Sequence, residues 1–323
     1  MNRSLQLLLI SCLTISLGIN GWLLWQKPAQ TPQPGSKSNG SYTPDSEYKF
    51  LSKRIFATNQ NDILINFVEL REKLRDYIDW YSDIQIGVYF EYLPSGISIG
   101  INDRTNFVSA SLLKVPIAMG ILKEVELGQI NLTDKIIVRK DMLDSRFGDL
   151  WKKGEDYSMT IEEALSEMII KSDNTAKNLL LSKLDDARLK DVLDSLDIPP
   201  ESEEDQPVVS PKNYSSILRS LYLSAYLTKD HSNYLLDLMT KSTFNDGLPA
   251  GIPDEIPIAH KIGVHTPYDN PKDLPVYTDC GVIYQPLRPY ILCIMIKEKK
   301  ETSHRMMKEI STAVYEYVSG SNK

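Results

Sequence analysis

Apolar residues Ile63, Phe67, Leu70, Leu74, Tyr77 and Ile78 recur at three- to four-residue intervals, which predicts a first helix over residues 62–80. The period then drops to two. Ile84, Ile86, Val88, Phe90 and Tyr92 alternate with smaller or more polar residues, as a strand does. Pro94-Ser95-Gly96 supplies a turn, and Ile97, Ile99 and Ile101 continue on a second strand. From Ser111 to about Leu227 the pattern is helical, broken by polar loops, with helices expected over 112–122, 161–170, 175–184 and 214–223. Strand-like runs return at 257–264, 278–284 and 290–297, the last two joined by Gln285-Pro286-Leu287-Arg288. A final helix carries Met306, Ile310, Ala313, Val314 and Tyr317 on one face. Strands at both ends with helices between them predict an α/β fold of the α+β type. Its antiparallel sheet is built and flanked from both chain ends, and an all-helical subdomain is inserted between them.

Two segments before residue 47 fall outside that pattern. Residues 5–25 are mostly apolar, preceded by Arg3 and followed by Lys27. As a helix they would reach about 31 Å, enough to cross a bilayer core. Trp22 and Trp25 stand where interfacial aromatics belong. A retained single-pass anchor (1–26) is expected, with the rest of the chain extracytoplasmic. The alternatives are a cleaved signal that leaves a secreted protein, and a lipoprotein processed at Cys12. Residues 27–46 hold four prolines with Gly, Ser and Gln and almost nothing apolar, so they are expected to be a linker. The folded domain is then 47–323. The chain's 42% hydrophobic fraction is ample for its core.

A net charge of -7 and the lack of any basic run exclude a nucleic-acid partner. Three cysteines are too few for a disulfide scaffold. Cys280 and Cys293 fall on strands that can be neighbours. Two buried free thiols are the ordinary expectation there, and a bridge is the alternative. His231, His260, His265 and His304 lack metal-ligand spacing, and no GxSxG elbow, P-loop or dinucleotide fingerprint is present. No metal and no cofactor are expected, and the protein is expected to be a monomer.

Three motifs appear in order: Ser111-Leu112-Leu113-Lys114, Ser172-Asp173-Asn174 and Lys261-Ile262-Gly263. Ser111 and Lys114 lie three apart at the start of an apolar helical run, so both fall on one helix face. A serine hydroxyl needs a base before it attacks a carbonyl. Lysine becomes one only if its pKa falls well below about 10.4, which burial and a nearby cation such as Lys261 both promote. Pro116 should remove one backbone bond near the start of this helix and kink it. Ser172-Asp173-Asn174 sits between two helical stretches. Each of its residues is also a preferred helix N-cap, so a capping role and a chemical role both stand. Lys261 is on a predicted strand, where it either guards a sheet edge or holds a substrate carboxylate. Gly263 would let substrate backbone lie close. The backbone N–H groups of Ser111 and Val264 would form an oxyanion hole. The acidic run 201–205 reads as a solvated loop.

Taken together, these motifs resemble the serine penicillin-recognising enzymes, above all the class A β-lactamase-like family, over about residues 60–320. Met159-Thr160-Ile161, Thr175-Ala176, Asn178-Leu179-Leu180-Leu181 and Ser210-Pro211 add to the likeness. The resemblance implies a β-lactamase/DD-peptidase-like fold. It also implies Ser111 as nucleophile, Lys114 as base, Ser172 as proton relay and Asn174 as the contact to the substrate amide. Lys261 is implied as the carboxylate contact and Phe147 as an aromatic at the pocket rim. Two departures bear on function. Residues 197–209 are shorter than the family's omega loop and lack its Glu-x-x-Leu-Asn segment, leaving Glu201, Glu203 or Glu204 as substitutes for a deacylating base. Ile262 replaces the usual hydroxyl residue, and Cys280 stands where an arginine is often found. The expected activity is therefore β-lactam hydrolysis through an acyl-enzyme at Ser111, with slow deacylation. The first alternative is a D-alanyl-D-alanine peptidase or penicillin-binding protein acting on peptidoglycan stem peptides. The second is a non-catalytic binding or sensor module.

Overall fold

The structure, a computed structural model, describes residues 67–267 and 273–320. The apolar segment 5–25, the linker 27–46, the domain start at 47 and the expected opening of the first helix at 62–66 lie outside the described residues. Among the described residues no helix is long and apolar enough to cross a membrane.

The first helix, α1 (Val68–Trp80), buries Leu70, Leu74 and Ile78, each one turn apart. β1 (Gln85–Tyr92) and β2 (Ile97–Ile101) follow, joined by a turn in which Gly96 takes φ +72°, a conformation glycine adopts without steric cost. The chain returns to the same sheet with β8 (Ile258–His265), β9 (Val276–Ile283) and β10 (Tyr290–Lys297). The sheet is antiparallel with order β2-β1-β10-β9-β8, which confirms an assembly from both chain ends. The last helix, α8 (Lys300–Ser319), buries Met306, Ile310 and Val314, while Ala313 and Tyr317 are only partly covered.

β1 departs from an alternation of buried and solvated positions: all of it after Gln85 is buried. The sheet is covered on both faces, so neither face needs polar side chains. Ile86, Val88, Phe90 and Tyr92 join the core shared with α1 and α8. Tyr89 joins the core on the other face, formed with the inserted helices. Those are α2 (Lys114–Glu126), α3 (Ile161–Ile170), α4 (Asn174–Leu181), α5 (Asp186–Asp194), α6 (Pro211–Leu223) and α7 (Lys229–Thr240). Arg219 of α6 donates from Nε to Glu91 Oε1 at 2.7 Å, tying the helical layer to β1.

The insert is not wholly helical. β3 (Phe107–Val108) and β6 (Ser202–Glu203) both pair with β7 (Gln206–Val209), and β4 (Lys135–Ile137) pairs with β5 (Ser158–Thr160). Strands of two to four residues are too short to carry a readable period. The acidic run forms the β6–β7 hairpin, with Glu204 and Asp205 both at positive φ in its turn. Pro116 does not interrupt α2. It is the third residue of the helix, where a backbone N–H has no helical acceptor to lose.

One row of cross-strand neighbours orients the chemistry. Tyr89 pairs with Cys293, Cys293 with Cys280, and Cys280 with Lys261. Directly paired residues share a face, so Lys261 points into the helical layer. Within that row Cys280 and Cys293 are joined by a disulfide rather than left as free thiols.

Candidate active site

Ser111 lies in a 3-10 turn, Ala110–Leu113, that leads directly into α2. Ala110, just before it, is held at φ +45°, a left-handed conformation that costs a non-glycine residue energy. The turn is clamped on both sides. Ser109 donates from N to Pro207 O at 2.9 Å and from Oγ to the same oxygen at 2.8 Å. Tyr214 donates from its hydroxyl to Leu112 O at 3.2 Å.

Lys114 is the first residue of α2 and is 1% exposed. Its Nζ lies 3.0 Å from Ser111 Oγ, 3.1 Å from Ser172 Oγ and 2.8 Å from Asn174 Oδ1, and it also donates to the Ser172 carbonyl. Burial, reinforced by the Lys261 charge, pushes its pKa down to about 6. Lys261 reaches the same hydroxyl from β8, with Nζ 2.9 Å from Ser172 Oγ and 3.1 Å from Ile262 O. Burial lowers its pKa to about 7, partly opposed by Asp279. The sheet-edge role is thereby excluded for Lys261: its strand is an edge strand, but its side chain is turned inward and 1% exposed.

Ser172 is fully buried at φ +56°, between the end of α3 and the start of α4. The helix cap is its neighbour. Asp173 accepts from Ala176 N at 2.8 Å with one carboxylate oxygen and from Leu150 N at 2.8 Å with the other. One residue of the motif caps the helix, which frees Ser172 and Asn174 to face the lysines. The result is a continuous series, Ser111 Oγ–Lys114 Nζ–Ser172 Oγ–Lys261 Nζ, along which a proton can move from the first hydroxyl toward the third motif. Such a site can acylate a serine.

Gly263 has a different use from the one expected. A Cβ there would lie 2.5 Å from Thr278 Oγ1 and 3.0 Å from Ser109 O. The missing side chain lets β8 close against the Ser111 turn, and this brings the backbone of Gly263 and Val264 alongside that turn. Cys280 is fully buried in its disulfide and cannot hold a carboxylate. Thr278 supplies the hydroxyl nearest Gly263, donating to its carbonyl at 3.3 Å.

Phe147 sits with its ring centre 5.9 Å from Lys114 Nζ, and its carbonyl accepts from Asn174 N at 3.0 Å. Phe244, unmarked in the sequence, lies 5.7 Å from Phe147 and 5.8 Å from Lys261 Nζ, so two rings roof the two amines. The pairing of Asp279 with His260 is likewise unmarked in the sequence. Asp279, fully buried, accepts from Leu248 N at 2.8 Å and meets His260 Nδ1 at 2.8 Å, pinning the loop after Phe244 to the sheet. Only the register of β8 against β9 reveals that pair. Glu201 accepts from Asn106 Nδ2, and Glu203 and Glu204 are exposed on the β6–β7 hairpin. Among the described residues no group of three or more His, Cys, Asp and Glu side chains is arranged to hold a metal.

Residues 69–318 match the model of the beta-lactamase enzyme family. A beta-lactamase from Bacillus amyloliquefaciens is 27% identical over 264 residues, 76% of this chain and 80% of that protein. Among solved structures, PBP-A superposes with a TM-score of 0.71 at 23% identity, covering 78% of this chain and 97% of that one. A mutant of PBP-A, described as an acyl-enzyme complex with penicillin-G, superposes with a TM-score of 0.69 at 24% identity over the same shares. These superpositions establish a shared fold.

Proposed function

The chain belongs to the beta-lactamase enzyme family, and from that premise we propose that it attacks β-lactams and acyl-D-alanyl-like amides through Ser111, releasing the acyl group slowly. The observation that carries this reading is the unbroken polar series from Ser111 through Lys114 and Ser172 to Lys261.

The residues act as follows. Neutral Lys114 takes the Ser111 proton, and the oxygen attacks the carbonyl carbon. The backbone N–H groups of Ser111 and Val264 stabilise the negative oxygen that forms. The proton on Lys114 passes through Ser172 to the leaving nitrogen, the C–N bond breaks, and an ester remains on Ser111. Asn174 holds the substrate amide, protonated Lys261 holds its carboxylate, and Phe147 packs on its side chain. Slow release follows from the loop chemistry: Glu201 is engaged by Asn106, and the other two glutamates sit on an exposed hairpin.

That same feature supports a second reading, a D-alanyl-D-alanine peptidase or penicillin-binding protein acting on stem peptides. For such an enzyme a long-lived penicillin adduct is the ordinary outcome. The non-catalytic reading has the weakest support, because the polar series is complete. Residues 5–25 would tether the domain to a membrane by an apolar helix, and 27–46 would hold it off the surface.

The test is intact-mass spectrometry of the full-length protein with benzylpenicillin over time, alongside Ser111→Ala. A Ser111-dependent adduct persisting for minutes is expected. An adduct that survives Ser111→Ala overturns the assignment. Clearance within seconds, with the drug consumed, overturns slow release and shows a working deacylating group still to be identified. Release of D-alanine from a stem pentapeptide would select the second reading.

A further inference from the structure

Behind the Ser111 turn, on the side away from Lys114 and Ser172, lies a cavity of about 270 Å³. Leu112, Leu113, Leu193, Ile198, Val208 and Ile217 form its walls. Most of the polar groups beside it are already engaged. Ser109 Oγ donates to Pro207 O at 2.8 Å and Tyr214 to Leu112 O at 3.2 Å. Glu201 accepts from the Asn106 side chain, and its carbonyl accepts from Val208 N at 3.0 Å. An ordered water needs two to four polar partners, and these walls leave few for it. An apolar cavity of about 150 Å³ takes up benzene. One nearly twice that size has room for a bicyclic aromatic or a short branched chain.

We propose that this cavity is a binding site for a small, neutral, apolar molecule, and that its occupant alters the reactivity of Ser111. The link is direct. Leu112 and Leu113 follow Ser111 in the same 3-10 turn, so a ligand against them bears on the element that positions the hydroxyl. An anionic ligand is excluded, because no cation lines the walls to replace its hydration and the Glu201 carboxylate stands beside them. The effect on reactivity rests on the acyl-enzyme reading; the binding does not.

Fluorine-19 NMR of fluoronaphthalene with the full-length protein tests the site. A saturable shift is expected in the wild type and in Ser111→Ala, with naphthoate silent. Leu193→Trp fills the cavity and should weaken binding about tenfold or more. Val208→Phe fills it from β7 and serves if Leu193→Trp does not fold. No saturable shift, or equal binding by a folded cavity-filled variant, overturns the proposal. Loss of binding after benzylpenicillin acylates Ser111, together with undiminished binding by a folded cavity-filled variant, would place the probe in the cleft and also overturn it. With the probe saturating, the rate of Ser111 adduct formation should change in the wild type and not in Leu193→Trp. An unchanged wild-type rate overturns the effect on Ser111 and leaves the site. If no adduct forms even without the probe, the acyl-enzyme reading has failed, and the NMR result stands by itself.

Discussion

Lys114 and Lys261 both donate to the Ser172 hydroxyl, at 3.1 and 2.9 Å, and neither has a carboxylate among its hydrogen-bond acceptors. Burial weakens the protonated form of each, to about 6 for Lys114 and about 7 for Lys261. The proposed roles need Lys114 neutral and Lys261 charged. Acylation should therefore rise as pH passes about 6 and fall as it passes about 7, a narrow bell. Adduct formation measured from pH 5 to 9 checks this. A rate that climbs steadily to pH 9 would show that Lys261 need not be charged. Lys114→Ala removes the base and should slow acylation by about 10²–10⁴. The spacing of Ser111 and Lys114 was readable in the chain. The roof over them was not, since Phe244 stands in no motif and meets Phe147 across the cleft.

Elements deliver those residues through caps and register. Asp173 starts α4 and also holds Leu150, so a single buried carboxylate orients the turn that presents Ser172 and Asn174. Asp173→Ala should cost about 2–4 kcal/mol, combining a lost cap with an unpaired buried N–H, and should slow acylation. Urea titration and adduct kinetics on the same variant check both effects. Full stability with slow chemistry would show that the cap is dispensable and Asp173 acts otherwise. Helix 161–170 was legible to the residue from its apolar stripe, and the structure adds a capping box between Thr160 and Glu163 at its start. β3 to β7 were invisible at their length. The Cys280–Cys293 bridge was open in the sequence, because spacing cannot say whether two strands are adjacent and in register. Replacing both cysteines with alanine should cost about 2–4 kcal/mol. The bridge suits the proposed extracytoplasmic location, where thiols oxidise.

For the whole molecule, burying two lysines makes stability depend on pH in a stated direction. Their folded pKa values, about 6 and 7, lie far below the unfolded value of about 10.4. Between pH 7 and 9 the unfolded chain holds protons that the folded chain has released, so stability rises with pH there. Each lysine contributes up to about 1.4 kcal/mol per pH unit. Urea unfolding at pH 7 and 9 should show this gain, and Lys261→Met should show less of it; equal gains would mean that Lys261 is charged in the folded state. Removing residues 1–46 should abolish membrane association and leave Ser111 acylation unchanged; fractionation and mass spectrometry check the two halves. The sequence by itself determined the two-ended sheet, the helical insert and the three motifs, because periodicity and short-range spacing are local properties. Only the tertiary structure decided that Lys261 turns inward, that Gly263 makes room for the Ser111 turn, that the cysteines pair and that a largely apolar cavity lies behind that turn. Each depends on which strand lies beside which and on how closely two layers pack, and those contacts join residues from 13 to more than a hundred positions apart.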